Sequence, residues 1–181
     1  MKTALGLIVA MAGAGHALAA PLPPPAMPVT SDAYGFVVVK SAAIQPDKAH
    51  VYKAIFSATQ GGDKPGERAP AIQMAGTELN ALVASGLGLS NADFVVDFHG
   101  PGAVWALLDN KHYRAKFGTD NPNLAALATL KKSGVKLYVC AQQMMAQGVA
   151  FDSITQDVTV ASDGLVVLMT FQNKGYALLP F

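Results

Sequence analysis

Short β-branched runs alternate with helical runs from His50 to the C-terminus, and this alternation predicts an α/β fold. The helical runs are about ten residues long, which suits right-handed crossovers between parallel strands. Together these observations predict a mostly parallel five-stranded sheet with helices on both faces, of the flavodoxin-like kind. No internal repeat is present.

Val51–Thr59, "VYKAIFSAT", is rich in strand formers and stops at Gly61-Gly62, so it is expected to be the first core strand. Pro70 then stands where a first helical residue is tolerated. Ile72, Ala75, Leu79, Leu82 and Val83 recur at three- and four-residue spacing until Gly86 ends the helix. "DFVVDF" (Asp93–Phe98) is the second strand, broken by His99-Gly100-Pro101-Gly102. Val104–Leu108 can form a short helix, and the polar stretch Asp109–Asp120 reads as an insertion or surface loop. Asn121-Pro122 opens a helix with Leu124, Leu127 and Leu130 inward and Lys131 and Lys132 near its negative end, and Gly134 is its stop. "VKLYV" (Val135–Val139) is the third strand, followed by Cys140 and a short helix to Gln147 closed by Gly148. Val158–Val160 forms a brief fourth strand. Ser162 or Asp163 caps a helix with Leu165, Val166 and Met169 on one side, and Tyr176–Leu179 is the fifth strand.

Ahead of the domain, Met1-Lys2, the mostly apolar run Ala4–Ala14 and Ala17-Leu18-Ala19 have the charge, length and small-residue pattern of a cleaved signal peptide. The run is too short for a membrane-spanning helix, which needs about 20 apolar residues. The expected organisation is a signal peptide at 1–19, a proline-rich arm at 20–33 and one domain at 34–181, in a periplasmic or secreted protein. The arm carries Pro21, Pro23, Pro24, Pro25 and Pro28 and should lie extended, outside the core. "YGFVVVK" (Tyr34–Lys40) reads either as an edge strand or as an arm laid on a neighbour.

The 181-residue chain has 51% hydrophobic and only 14% charged residues, a balance that suits a well-packed globule able to self-associate. Without Lys2, basic and acidic residues are equal in number, which argues against nucleic acid or anionic lipid as a partner. After signal cleavage no membrane span is expected.

The chemistry is expected at the carboxyl ends of the strands, where the loops of a parallel sheet converge. Thr59 and Gln60 follow the first strand, His99 and Gly100 the second, and Cys140 and Gln142 the third. Thr59, Gln60, Gly100 and Gln142 are candidate ligand-binding residues. Cys140 is the only cysteine, so it cannot form an intramolecular disulfide. At a strand-to-helix junction the unpaired N–H groups favour an anion, and so a reactive thiolate. The same residue also reads as a small buried hydrophobe. His99 is a candidate general base or orienting partner for Cys140, or a histidine that only ends a strand.

Other chemistries find no support. His50 and His112 have no metal-ligand spacing with His99, so no metal site and no cofactor are expected. "HGPG" lacks the Walker spacing, and no Gly-x-Ser-x-Gly elbow is present. Met144 and Met145 are consecutive and point apart on a helix, so they read as core or contact residues rather than copper or haem ligands.

From "VYKAIFSATQGG" through "FVVDFHGPGAVWALL" and "GVKLYVCAQQMMAQGV" to "FQNKGYALLPF", the chain resembles the DsrE/DsrF-like family of sulfur-relay proteins. In the sulfur-carrying members a strand ends in a cysteine that starts a short helix, with Gly-Val eight and nine residues on. Cys140, Gly148 and Val149 match that spacing. The resemblance implies a flavodoxin-like fold and a trimer or hexamer. It also implies that Cys140 accepts a sulfane sulfur as a persulfide from a donor protein and hands it to an acceptor. The chain departs from the cytoplasmic relay members in its export signal and proline-rich arm.

Two functions are therefore expected to compete. One is a periplasmic sulfur carrier or sulfurtransferase-like protein using Cys140, assisted by His99. The other is a non-catalytic small-ligand-binding or assembly module with a buried structural cysteine. A thiol-based redox sensor is a weaker third, because the chain has no resolving cysteine.

Overall fold

The computed structural model describes residues 23–181. The segment expected to be a signal peptide, 1–19, and the start of the expected proline-rich arm lie outside the described residues. Five strands form one sheet: β1 (Tyr52–Ala58), β2 (Ala92–Phe98), β3 (Lys136–Cys140), β4 (Thr159–Ala161) and β5 (Ala177–Pro180). Their order is β4-β3-β2-β1-β5 and every pairing is parallel. This is the α/β architecture that the alternation of strand and helix runs predicts.

Six helices connect the strands: α1 (Pro70–Ala84), α2 (Pro101–Trp105), α3 (Asn110–Phe117), α4 (Leu124–Lys132), α5 (Ala141–Ala146) and α6 (Gly164–Gln172). Side chains alternate across the sheet, so each strand feeds two cores. Phe56, Phe94, Val96, Phe98, Leu137 and Val139 face α1 and α4, where Ile72, Leu79, Leu127 and Leu130 are almost fully buried, and Met144 of α5 joins this core. Ile55 and Val95 face the other way and meet Val167 and Phe171 of α6 with Tyr176. That second core is smaller because one helix covers it. The register aligns Ser57 with Asp97 and Asp97 with Tyr138 across the three central strands. By alternation these residues share the α6 face, and Cys140, two residues beyond Tyr138, shares it too.

Some regions depart from expectation or resolve what it left open. Asp109–Asp120 is not a surface loop but holds α3. Asp109 caps this helix by accepting from the His112 N–H at 2.8 Å, and Gly118 at φ 76° ends it. Tyr113 is its one buried residue, so an apolar repeat was missing from the sequence. Tyr34–Lys40 forms no strand, although Phe36 and Ala26 exchange two antiparallel backbone hydrogen bonds. On α6, Leu165, Val166 and Met169 do share one side, and that side faces solvent while Val167 and Phe171 turn inward. The helix is apolar nearly all round, so periodicity could not choose its buried face.

The described part of the 20–33 segment ends on α1 rather than outside the core. Thr30 is buried and Val29 packs against the main core. The fully buried Asn80 side chain accepts from Val29 and Thr30 N–H at 2.9 and 3.1 Å and donates to the carbonyls of Thr30 and Tyr34 at 2.9 and 3.1 Å. Arg68 adds an ion pair to Asp32 at 2.6 Å. An amide inside a helix of buried apolar residues satisfies its donors and acceptors this way.

Candidate functional site at the carboxyl edge of the sheet

The loops that follow β1 and β2 pack directly on each other. A Cβ on Gly100 would stand 2.1 Å from the Thr59 carbonyl oxygen, and one on Gly61 would stand 2.7 Å from the Gly102 carbonyl oxygen. These glycines permit backbone-to-backbone contact, so "HGPG" is a packing feature. Thr59 and Gln60 are exposed and Gly100 is buried beneath them. The Thr59 hydroxyl donates to the C-terminal Phe181 carbonyl at 2.9 Å.

The loops that follow β3 and β4 instead part company. β3 leads into α5, which packs with the α1 and α4 core through Met144, whereas β4 leads into α6 on the opposite face. A parallel sheet opens a crevice where adjacent strands send their connections to opposite faces, and ligands bind outside the strand ends there. Cys140 and Ala161 are paired across this switch point. The exposed Gln142 side chain bridges it, donating to the Ser162 carbonyl at 3.2 Å.

Cys140 ends β3 and caps α5, its Sγ accepting from the Gln143 N–H at 3.4 Å. The residue is 6% exposed. Gly164, the first residue of α6, lies directly over the site. A Cβ there would meet His99 Cβ at 2.4 Å, Asp97 Oδ2 at 3.2 Å and Cys140 Cβ at 3.2 Å. Only glycine lets α6 descend this far, and its descent gathers Asp97, His99 and Cys140 around one point. His99 is half-buried and its Nε2 is 2.8 Å from the Ser57 hydroxyl. Burial lowers the His99 pKa, and the Asp163 carboxylate partly opposes this.

Asp97 was not among the residues expected at the site. It is fully buried, and neither carboxyl oxygen has a hydrogen-bond partner among the described residues. Burial first, and then the charge of Asp163, push its pKa up to about 7. Asp163 caps α6, accepting from the Val166 N–H at 3.2 Å. Asp93, four residues earlier in the same strand, behaves in the opposite way. Burial works against its charged form, but hydrogen bonds from Lys136 and Tyr176, each at 2.5 Å, hold its carboxyl below the usual value. The signal for Asp97 was in the sequence: an acid inside the strand "DFVVDF", at the same parity as His99.

The structure thus brings together Cys140, His99 and Gln142 from the expected set. Thr59 and Gln60 belong to the neighbouring loop that packs on Gly100. A groove of about 580 Å³ lined by His50, Tyr52, Glu78, Leu82 and Ala177 opens at the other end of β1, away from these residues. No helix among the described residues is long and apolar enough to cross a membrane.

A parallel five-stranded α/β protein with its cysteine at the switch point is the class that fold and site define. The chain belongs to the DsrE/DsrF-like family, whose model matches residues 52–181, a family associated with sulfur relay. Among solved structures it is similar to the protein of unknown function MTH1491 from Methanobacterium thermoautotrophicum. The TM-score is 0.51 at 18% identity, covering 72% of this chain and 99% of that one. That likeness bears on the fold alone. No curated protein matches the chain.

Proposed function

We propose that this protein is a periplasmic sulfur carrier in which Cys140 accepts a sulfane sulfur as a persulfide and passes it to an acceptor thiol. The observation that carries this reading is the position of Cys140 at the β3–β4 switch point, with Sγ held by a backbone N–H of α5. There Cys140 Sγ attacks the outer sulfur of a donor, and the Gln143 N–H stands beside the sulfur that becomes the persulfide. His99, oriented by Ser57, assists from the adjacent strand end. The family match supports the sulfur chemistry, and the N-terminal residues Met1–Ala19 support export. The outward stripe Leu165, Val166 and Met169 supports a homo-oligomer, a trimer or hexamer by resemblance to the family.

A second reading is a ligand-binding or assembly module with a structural cysteine, and the 6% exposure of Cys140 favours it. Intact mass separates the two. The purified protein, treated with polysulfide or with thiosulfate plus a donor enzyme, is expected to gain one sulfur that Cys140→Ser does not gain. A wild type that gains none, with a thiol unreactive until denaturation, would refute the carrier reading.

A further inference from the structure

Asp97 is the one group at the site for which neither the fold nor the expected persulfide chemistry yet accounts. An unpartnered carboxyl in a packed interior is costly, because neither water nor a donor satisfies it. Both its oxygens are in that state. Its Oδ2 and the Cβ of Cys140 each lie 3.2 Å from the point where a Cβ on Gly164 would stand. The two side chains therefore lie within twice that distance, a gap that one water molecule spans.

We propose that Asp97 is the proton-exchanging partner of Cys140 and that the sulfur donor it serves is a hydropersulfide, R–S–SH. This rests on the carrier reading. The Asp97 carboxylate takes the proton of the Cys140 thiol as Sγ attacks the outer sulfur of the donor. The new Sγ–S bond forms, the donor S–S bond breaks, and its electron pair leaves with the inner sulfur as R–S⁻. That thiolate takes the proton from the Asp97 carboxyl. The products are the Cys140 persulfide and R–SH, with no net oxidation or reduction, and Asp97 is again a carboxylate.

Other groups facing Asp97 are less suited to this exchange. On β1, the Ser57 hydroxyl is engaged with His99 Nε2. Just after β2, His99 is held by that contact. On β3, Tyr138 lies beside Asp97 in register and packs its ring against Phe171 of α6. Over the site, the Asp163 carboxylate at the start of α6 is tied to the Val166 N–H. Burial first, and then the Asp163 charge, disfavour a negative charge at Asp97, so Asp97 exchanges its proton near neutral pH, where general acid–base transfer is most effective. The same acidic surroundings disfavour a doubly charged donor such as thiosulfate and suit a hydropersulfide.

Two measurements test the assignment. In the first, the Asp97 carboxyl is titrated by carbon-13 NMR in folded wild type and in Cys140→Ser. A hydroxyl donates to a carboxylate more strongly than a thiol, so the serine variant is expected to titrate at lower pH. Superimposable titrations overturn the pairing, and this readout needs no sulfur transfer. In the second, persulfide formation with glutathione hydropersulfide is followed by intact mass from pH 5.5 to 9 in wild type and Asp97→Asn. The variant is expected to be at least about tenfold slower near pH 7.5 and to lose the rise in rate through neutral pH. A wild type that gains sulfur alongside an unchanged Asn variant overturns only the role of Asp97. A wild type that gains none overturns the carrier reading itself.

Discussion

Replacing Asp97 by asparagine should change stability in a way that depends on pH, and the sign follows from burial. The Asp97 carboxyl is raised from its ordinary 3.8 to about 7, so the folded protein holds this proton more tightly than the unfolded chain does. Its contribution to stability is intact below the ordinary value, declines as pH rises across the window up to about 7, and is lost above it. With about 1.4 kcal/mol per pK unit, the loss approaches about 4 kcal/mol, an upper figure for a group that the interior can relax around. Asparagine keeps the shape and removes the charge, but its amide brings an unpaired donor costing about 1–3 kcal/mol at every pH. The variant should therefore be somewhat less stable than wild type near pH 4.5 and more stable above pH 8. His99 has a lowered pKa and makes both proteins gain stability as pH rises toward its ordinary value, so it cancels in the difference. Urea unfolding followed by the fluorescence of Trp105, at intervals from pH 4.5 to 8.5, measures that difference. A stability difference that stays constant across the range would refute the reasoning.

Two further outcomes follow from the packing. Asn80→Ala removes four hydrogen bonds that tie Val29, Thr30 and Tyr34 to α1, and should cost about 2–4 kcal/mol. It should also make residues 28–34 the first site of limited proteolysis, and an unchanged cleavage pattern would contradict the anchoring. Met169→Glu, at an α6 position 56% exposed, should leave unfolding of the protomer within about 0.5 kcal/mol of wild type while dissociating the proposed oligomer. Light scattering would contradict that if wild type and variant had the same mass.

The strands and most helices were legible because local rules governed them. β-branched runs gave strand positions to within a residue or two, Pro70 marked the start of α1, and glycines marked the helix ends. α3 was missed because a capped polar helix with one buried tyrosine carries no apolar period. Which face of α6 is buried was not legible, because a helix with apolar residues on every side has no preferred face until it meets a sheet. Cys140 and His99 were legible as candidates by their place after strands. Asp97 could be noticed as an acid inside a strand, but not singled out, because what distinguishes it is the absence of a partner, and partners come from other strands and from α6.

By itself, then, the sequence determined the strands and most helices, their parallel pairing and the edge of the sheet at which Cys140 stands, since all three follow from short-range periodicity and crossover length. Only the tertiary structure decided which connections leave toward which face, and hence that Cys140 lies at the switch point. It alone decided that a glycine at the start of α6 closes over Asp97, His99 and Cys140. The physical reason is distance along the chain. Asp97, Cys140 and Gly164 come from separate elements, and their proximity is set by how one helix packs across three strands, which no local pattern encodes.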